Sequence, residues 1–167
     1  MVTVGRLALI GMLALPAGSA SAQSRVAEVF VGGGVFSTDT HKLVTGDAGL
    51  NIWLLDGVGF GFRHSLQTGR SFDDERVLAN LSSLTVNLRH RINDRVAVQF
   101  GWVPVVYSVI SDAFGTERDA GAGIYPLFDF FVTVQVPNQP FAVRGGANFI
   151  VSEGAWLHPM GLVVFSF

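Results

Sequence analysis

Strict period-two alternation, repeated in segment after segment, constrains this chain more than any other feature. Between Gly57 and Gln67, the residues Val58, Phe60, Phe62, His64 and Leu66 share one parity. Gly59, Gly61, Arg63, Ser65 and Gln67 share the other. Successive side chains of a strand point to opposite faces, so this segment is a strand with one apolar face and one small or polar face. The pattern returns in residues 83–92, with Leu84, Val86 and Leu88 against Thr85, Asn87, Arg89 and Arg91. It returns again in 95–102, 128–136 and 141–151. Less regular versions occupy 26–36, 47–55 and 156–167, which predicts eight strands.

These strands sit in an unusually apolar chain. Hydrophobic residues make up 49% of the sequence and charged residues only 14%, against about 25% charged in a typical soluble domain. That composition excludes a disordered chain. The formal net charge of −2 leaves no basic footprint for nucleic acid. The absence of cysteine excludes disulfides, thiolate metal sites and a cysteine nucleophile.

Residues 1–22 read as a secretory signal peptide. Arg6 precedes the apolar run Leu7–Leu15, Pro16 and Gly18 break it, and Ala20-Ser21-Ala22 supplies small residues for cleavage before Gln23. The run is shorter than the roughly 20 residues a spanning helix needs. Residues 23–167 are then expected to form one barrel domain. An exported, membrane-like chain with no spanning helix points to a closed barrel, because lipid tolerates only helices and closed barrels.

The connections support this. Asp56-Gly57, Ile92-Asn93-Asp94 and Pro137-Asn138-Gln139-Pro140 are tight, with turn chemistry. Residues 37–46, 69–79, 109–119 and 152–155 form the alternate set, mostly longer and more polar. Short turns at one rim and longer loops at the other is the pattern of outer-membrane barrels. The fold class expected is therefore an all-β, eight-stranded, antiparallel up-and-down transmembrane barrel. Its apolar phase faces lipid, and its lumen holds Glu28, Arg63, Arg89, Gln99, Asp129, Arg144 and Asn148. Opposite charges in so narrow an interior are expected to pair.

The whole of residues 23–167 resembles the OmpA/OmpX-like eight-stranded barrels of the Gram-negative outer membrane. The resemblance rests on the signal peptide, the strand number, the tight turns and the C-terminal run Leu162-Val163-Val164-Phe165-Ser166-Phe167. It implies that Val163, Phe165 and Phe167 form the signal read by the barrel-assembly machinery. Gly161 stands one place from the glycine of the strictest form of that signal. The resemblance covers the barrel alone, so the cell-wall anchoring supplied by the peptidoglycan-binding domain that follows the barrel in OmpA is not carried over.

Catalytic motifs are weak. Gly57-Val58-Gly59-Phe60-Gly61 imitates a phosphate loop, but its glycines repeat inside a strand rather than opening a helix. Gly32-Gly33-Gly34 reads as a flexible or closely packed strand segment. His64-Ser65 invites comparison with outer-membrane lipid A deacylases, whose His and Ser share the lipid-facing wall. Adjacent residues point to opposite faces, so this pair does not meet. His41, His90 and His158 show no metal-ligand spacing. Asp73-Asp74-Glu75 reads as a solvated loop.

The function expected is a structural or interaction role at the Gram-negative cell surface, with no catalysis and no cofactor or metal. The expected partners are outer-membrane lipid and lipopolysaccharide, and the assembly machinery during biogenesis. The protein is expected to be monomeric. A lipid-modifying enzyme, a narrow pore and a soluble ligand-binding barrel are the alternatives.

Overall fold

The computed structural model describes residues 26–167, apart from 38–40, 56, 72–75, 113–117, 124–126 and 151–156. The signal peptide expected over 1–22 and the acidic triplet Asp73–Glu75 lie outside the described residues. Among the described residues, no helix is long and apolar enough to cross a membrane.

The chain is a closed, all-antiparallel β-barrel. Its segments are β1 (Ala27–Ser37), β2 (His41–Leu55), β3 (Val58–Ser71), β4 (Arg76–Arg91) and β5 (Val96–Asp112). β6 (Arg118–Gly123), β7 (Leu127–Gln135), β8 (Phe141–Ile150) and β9 (Leu157–Ser166) complete it. β6 and β7 both pair with β5, one beyond the other, so together they fill a single place in the wall. The wall therefore has eight strands, as the alternation predicts. β9 pairs with β1, which removes both sheet edges. Phe167 seals this seam: its N–H donates to Ala27 O at 2.9 Å, and its carbonyl accepts from Val26 N at 3.1 Å.

The tight connections are where the sequence puts them. Asn93 Oδ1 accepts from the N–H groups of Arg95 and Val96, both at 2.9 Å, which closes the β4–β5 turn. Asn138 turns the chain between β7 and β8 at φ 59°. Asparagine tolerates that left-handed region because its short side chain bonds locally. Asn138→Val is expected to cost about 1–2 kcal/mol, and Asn138→Gly close to nothing. Urea unfolding midpoints check the pair.

Three of the four opposite connections are shorter than expected, and the fourth, 152–155, lies outside the described residues. β1 and β2 stay paired from Ala27↔Ile52 out to Ser37↔Lys42, leaving 38–40 between them rather than 37–46. β3 and β4 likewise pair out to Arg70↔Arg76, and β5 extends to Asp112. The strands run on past the apolar belt, where polar residues on both faces hide the period.

β5 carries the main irregularity. Leu84 pairs with Val105 and Val86 with Trp102, so Val103 and Pro104 together oppose Thr85. This bulge suits a residue with no N–H to give the ladder. It also reverses parity: Val103 and Val106 both point inward, at 0% and 3% exposure.

Candidate functional site

One outer wall and one interior carry the chemistry of this fold. The outward parity is apolar on every side: Val31, Ile52, Phe60, Leu84, Phe100, Val143 and Phe165 are all exposed, Phe60 at 52%. An exposed apolar band of this extent, encircling the molecule, is a lipid-facing wall. Val163, Phe165 and Phe167 belong to it, with the Phe165 ring 6.2 Å from that of Phe141, its register partner on β8.

The inward parity is filled. Phe30, Phe131, Ala142, Met160, Leu162 and Val164 form an apolar cluster contributed by β1, β7, β8 and β9. Polar groups fill the rest, in three levels. The first lies near the tight-turn rim. Glu28 receives Arg89 Nη1 on Oε1 at 2.7 Å and Arg144 Nη2 on Oε2 at 2.6 Å. Arg144 Nε donates to Thr133 Oγ1 at 2.8 Å. Trp53 lies under the Arg89 guanidinium at 3.9 Å.

At the second level Arg63 Nη1 donates to Asn148 Oδ1 at 2.9 Å, while Nη2 forms an ion pair with Asp129 at 3.6 Å. Gln99 is buried beside this group. All seven residues expected in the lumen thus project inward, and five of them meet as ion pairs.

The third level was not expected. Thr45 Oγ1 donates to Asp47 Oδ2 at 2.7 Å and lies 2.7 Å from His158 Nε2. With the hydroxyl proton committed to Asp47, His158 Nε2 is the donor to Thr45. The ring of Phe36 meets His158 at 5.8 Å, edge to face. The parity of β9 was the available signal, since His158 shares it with Met160, Leu162 and Val164.

Small residues make this packing possible. The side of Gly61 faces Thr85 Oγ1, Asn51 Oδ1 and Asn87 Nδ2, and a Cβ there would collide with all three. Asn87 Nδ2 donates to Asn51 Oδ1 at 3.1 Å and to Thr85 Oγ1 at 3.0 Å in the space so left. Gly59 and Gly61 are therefore interior packing within β3, Gly57 stands in the turn before it, and no helix follows them.

On the outer wall His64 and Ser65 do point apart: Ser65 is buried inside, and His64 faces out. His64 instead meets Ser82, directly opposite on β4, with Nδ1 2.9 Å from Oγ. The outward neighbours of the pair are Ala48, Phe62, Leu66, Asn80, Leu84 and Tyr107, none of them a carboxylate. Among the described residues no group of His, Asp or Glu is arranged to hold a metal.

No family model matches the sequence, and no curated protein does. Solved structures do match its fold. Neisserial surface protein A aligns with a TM-score of 0.65 at 10% identity, over 84% of this chain and 96% of its own. The N-terminal β-barrel domain of Pseudomonas aeruginosa OprF aligns with a TM-score of 0.57 at 14% identity, over 86% and 98%. Ail, the attachment invasion locus protein of Yersinia pestis, aligns with a TM-score of 0.53 at 9% identity, over 84% and 95%. The fold is the closed eight-stranded β-barrel of these structures. Each neighbour is covered almost entirely, so the likeness spans the whole barrel and not one hairpin.

Proposed function

We propose that this protein is an integral outer-membrane barrel with a non-catalytic, structural or interaction role at the Gram-negative cell surface. The observation that carries this reading is the division of the molecule: an apolar wall around a lumen packed with paired polar side chains. Eight strands enclose an interior that side chains can just fill, unlike the wide channels of porins. Such a molecule offers surfaces, not a passage. Its partners on this reading are outer-membrane lipid and lipopolysaccharide. Lys42, Arg70 and Arg76 support the second: they are exposed and stand at successive register positions, Lys42↔Arg70 and Arg70↔Arg76, at the loop end of the apolar wall. Cations placed there suit the phosphates of an anionic glycolipid. Val163, Phe165 and Phe167 are the residues the assembly machinery reads.

A second reading rests on His64 and Ser82. A hydroxyl hydrogen-bonded to an imidazole on a lipid-facing wall is the start of a nucleophile–base pair, and an ionisable residue in a membrane-spanning strand invites a functional reading. It ranks second because no carboxylate stands behind His64 among its described outward neighbours.

One experiment separates these readings. Purified protein is refolded into lipopolysaccharide-containing bilayers, and both single-channel current and fatty-acid release are recorded. The proposed role gives neither. Porin-sized steps restore the pore, and acyl-chain release abolished by Ser82→Ala restores the enzyme.

A further inference from the structure

The lumen is closed at its centre but not at the tight-turn rim. A cavity of about 160 Å³ opens there, bounded by Glu28, Arg89, Arg91, Asp94, Arg95 and Arg144 among its lining residues. Its charge is unbalanced: four guanidinium groups face two carboxylates. Glu28 has already committed one oxygen to Arg89 and the other to Arg144. The Arg89 side chain is 6% exposed, and its Nε and Nη2 are buried with no acceptor among the described residues. Arg91, at the end of β4, and Arg95, in the β4–β5 turn, are exposed at the mouth.

We infer that this mouth binds a compact oxyanion, of the phosphate or carboxylate class. The reason is electrostatic. A buried guanidinium with unmet donors is costly, and a cleft with an excess of one sign of charge concentrates counter-charge. An oxyanion seated in the cavity offsets the excess charge of Arg89 and Arg144 behind it. Arg91 and Arg95 grip it from the open side, where the guanidinium fork matches two oxygens of a phosphate or carboxylate. The site is separate from the outward row Lys42, Arg70 and Arg76, which lies at the opposite end of β2, β3 and β4.

The binding stands on the cavity alone. Its natural source rests on the outer-membrane reading, in which the short-turn rim faces the periplasm. There the two sources are free phosphate and the carboxylates of cell-wall peptides.

The test is isothermal titration of the refolded chain in detergent at low ionic strength. One arm uses inorganic phosphate, and the other uses soluble peptidoglycan fragments bearing free carboxylates. Saturable binding of either probe is expected, weakened roughly tenfold or more in Arg91→Gln/Arg95→Gln. Both positions are exposed, so that variant keeps the barrel, which heat-modifiable gel mobility verifies. Lys42→Gln/Arg76→Gln at the far rim leaves the binding unchanged. Phosphate binding alone assigns free phosphate as the source, and fragment binding assigns the cell wall. Absence of saturable binding in both arms overturns the site. So does binding that survives Arg91→Gln/Arg95→Gln or disappears in the far-rim variant. Either failure leaves the reading of the barrel as a non-conducting surface protein untouched, because that reading is judged by current and lipid hydrolysis.

Discussion

Replacing Arg144 by leucine is expected to destabilise the barrel by about 3–5 kcal/mol, the cost of leaving a buried charge without its partner. Arg144 is 1% exposed and gives Glu28 its shortest contact, 2.6 Å. The leucine would leave Glu28 with Arg89 as its remaining cation and only a 3.3 Å bond from Asn51 on Oε2, and the Thr133 hydroxyl without its donor. Arg63→Leu acts one level up, where Asp129 would lose an ion pair and Asn148 a hydrogen bond. Its contact with Asp129 is longer, 3.6 Å, so the loss there is expected to be the smaller of the two. Adding Glu28→Leu to Arg144→Leu is expected to recover nothing, because Glu28 is also the partner of the buried Arg89, which would then be left unpaired. Unfolding in urea, followed by the loss of heat-modifiable mobility, measures all three. An unchanged midpoint in Arg144→Leu removes the buried lattice from the account.

Gly61→Leu is the second large effect. The isobutyl group would have to occupy the space in which Asn51, Thr85 and Asn87 meet. Overpacking a filled interior costs about 1–3 kcal/mol and occasionally more, and here it also breaks hydrogen bonds among buried amides. The same substitution one position away, at the outward Phe62, is expected to be nearly neutral, because leucine there still faces lipid. A folded yield of Gly61→Leu equal to that of Phe62→Leu would show that residue 61 does not face a packed interior.

Much of this architecture was legible because a membrane barrel writes its two faces into one period. The alternation of 57–67 and 83–92 gave both the strands and the inward set Arg63, Arg89 and Asn87, since lipid on one side and a narrow lumen on the other leave each parity its own chemistry. Past the belt that contrast fades. Leu43 points in while Lys42 and Thr68 point out, so the extension of β2 and β3 did not stand out against a polar loop. The parity reversal at Val103-Pro104 depends on a bulge, which the local sequence marks only by a proline. The cluster of Thr45, Asp47 and His158 joins residues 113 positions apart and depends on closure of β9 onto β1 and β2. The His64–Ser82 contact was missed for a similar reason: the partner lies across a hairpin, not beside the histidine in sequence.

The central claim is which parity sees lipid, and the absence of cysteine makes it directly measurable. Single cysteines at Phe62, Leu66 and Leu84 test the outward parity, and Ser65→Cys and Ser83→Cys test the inward one. Each variant is folded into vesicles and exposed to a thiol-reactive fluorophore, with a quencher carried on the lipid acyl chains. The account predicts labelling and strong quenching at 62, 66 and 84, and no reaction at 65 and 83 until the barrel is unfolded. Fast labelling at 65 and 83 from the aqueous phase, with no quenching at 62, 66 and 84, would place the apolar parity inside and contradict it.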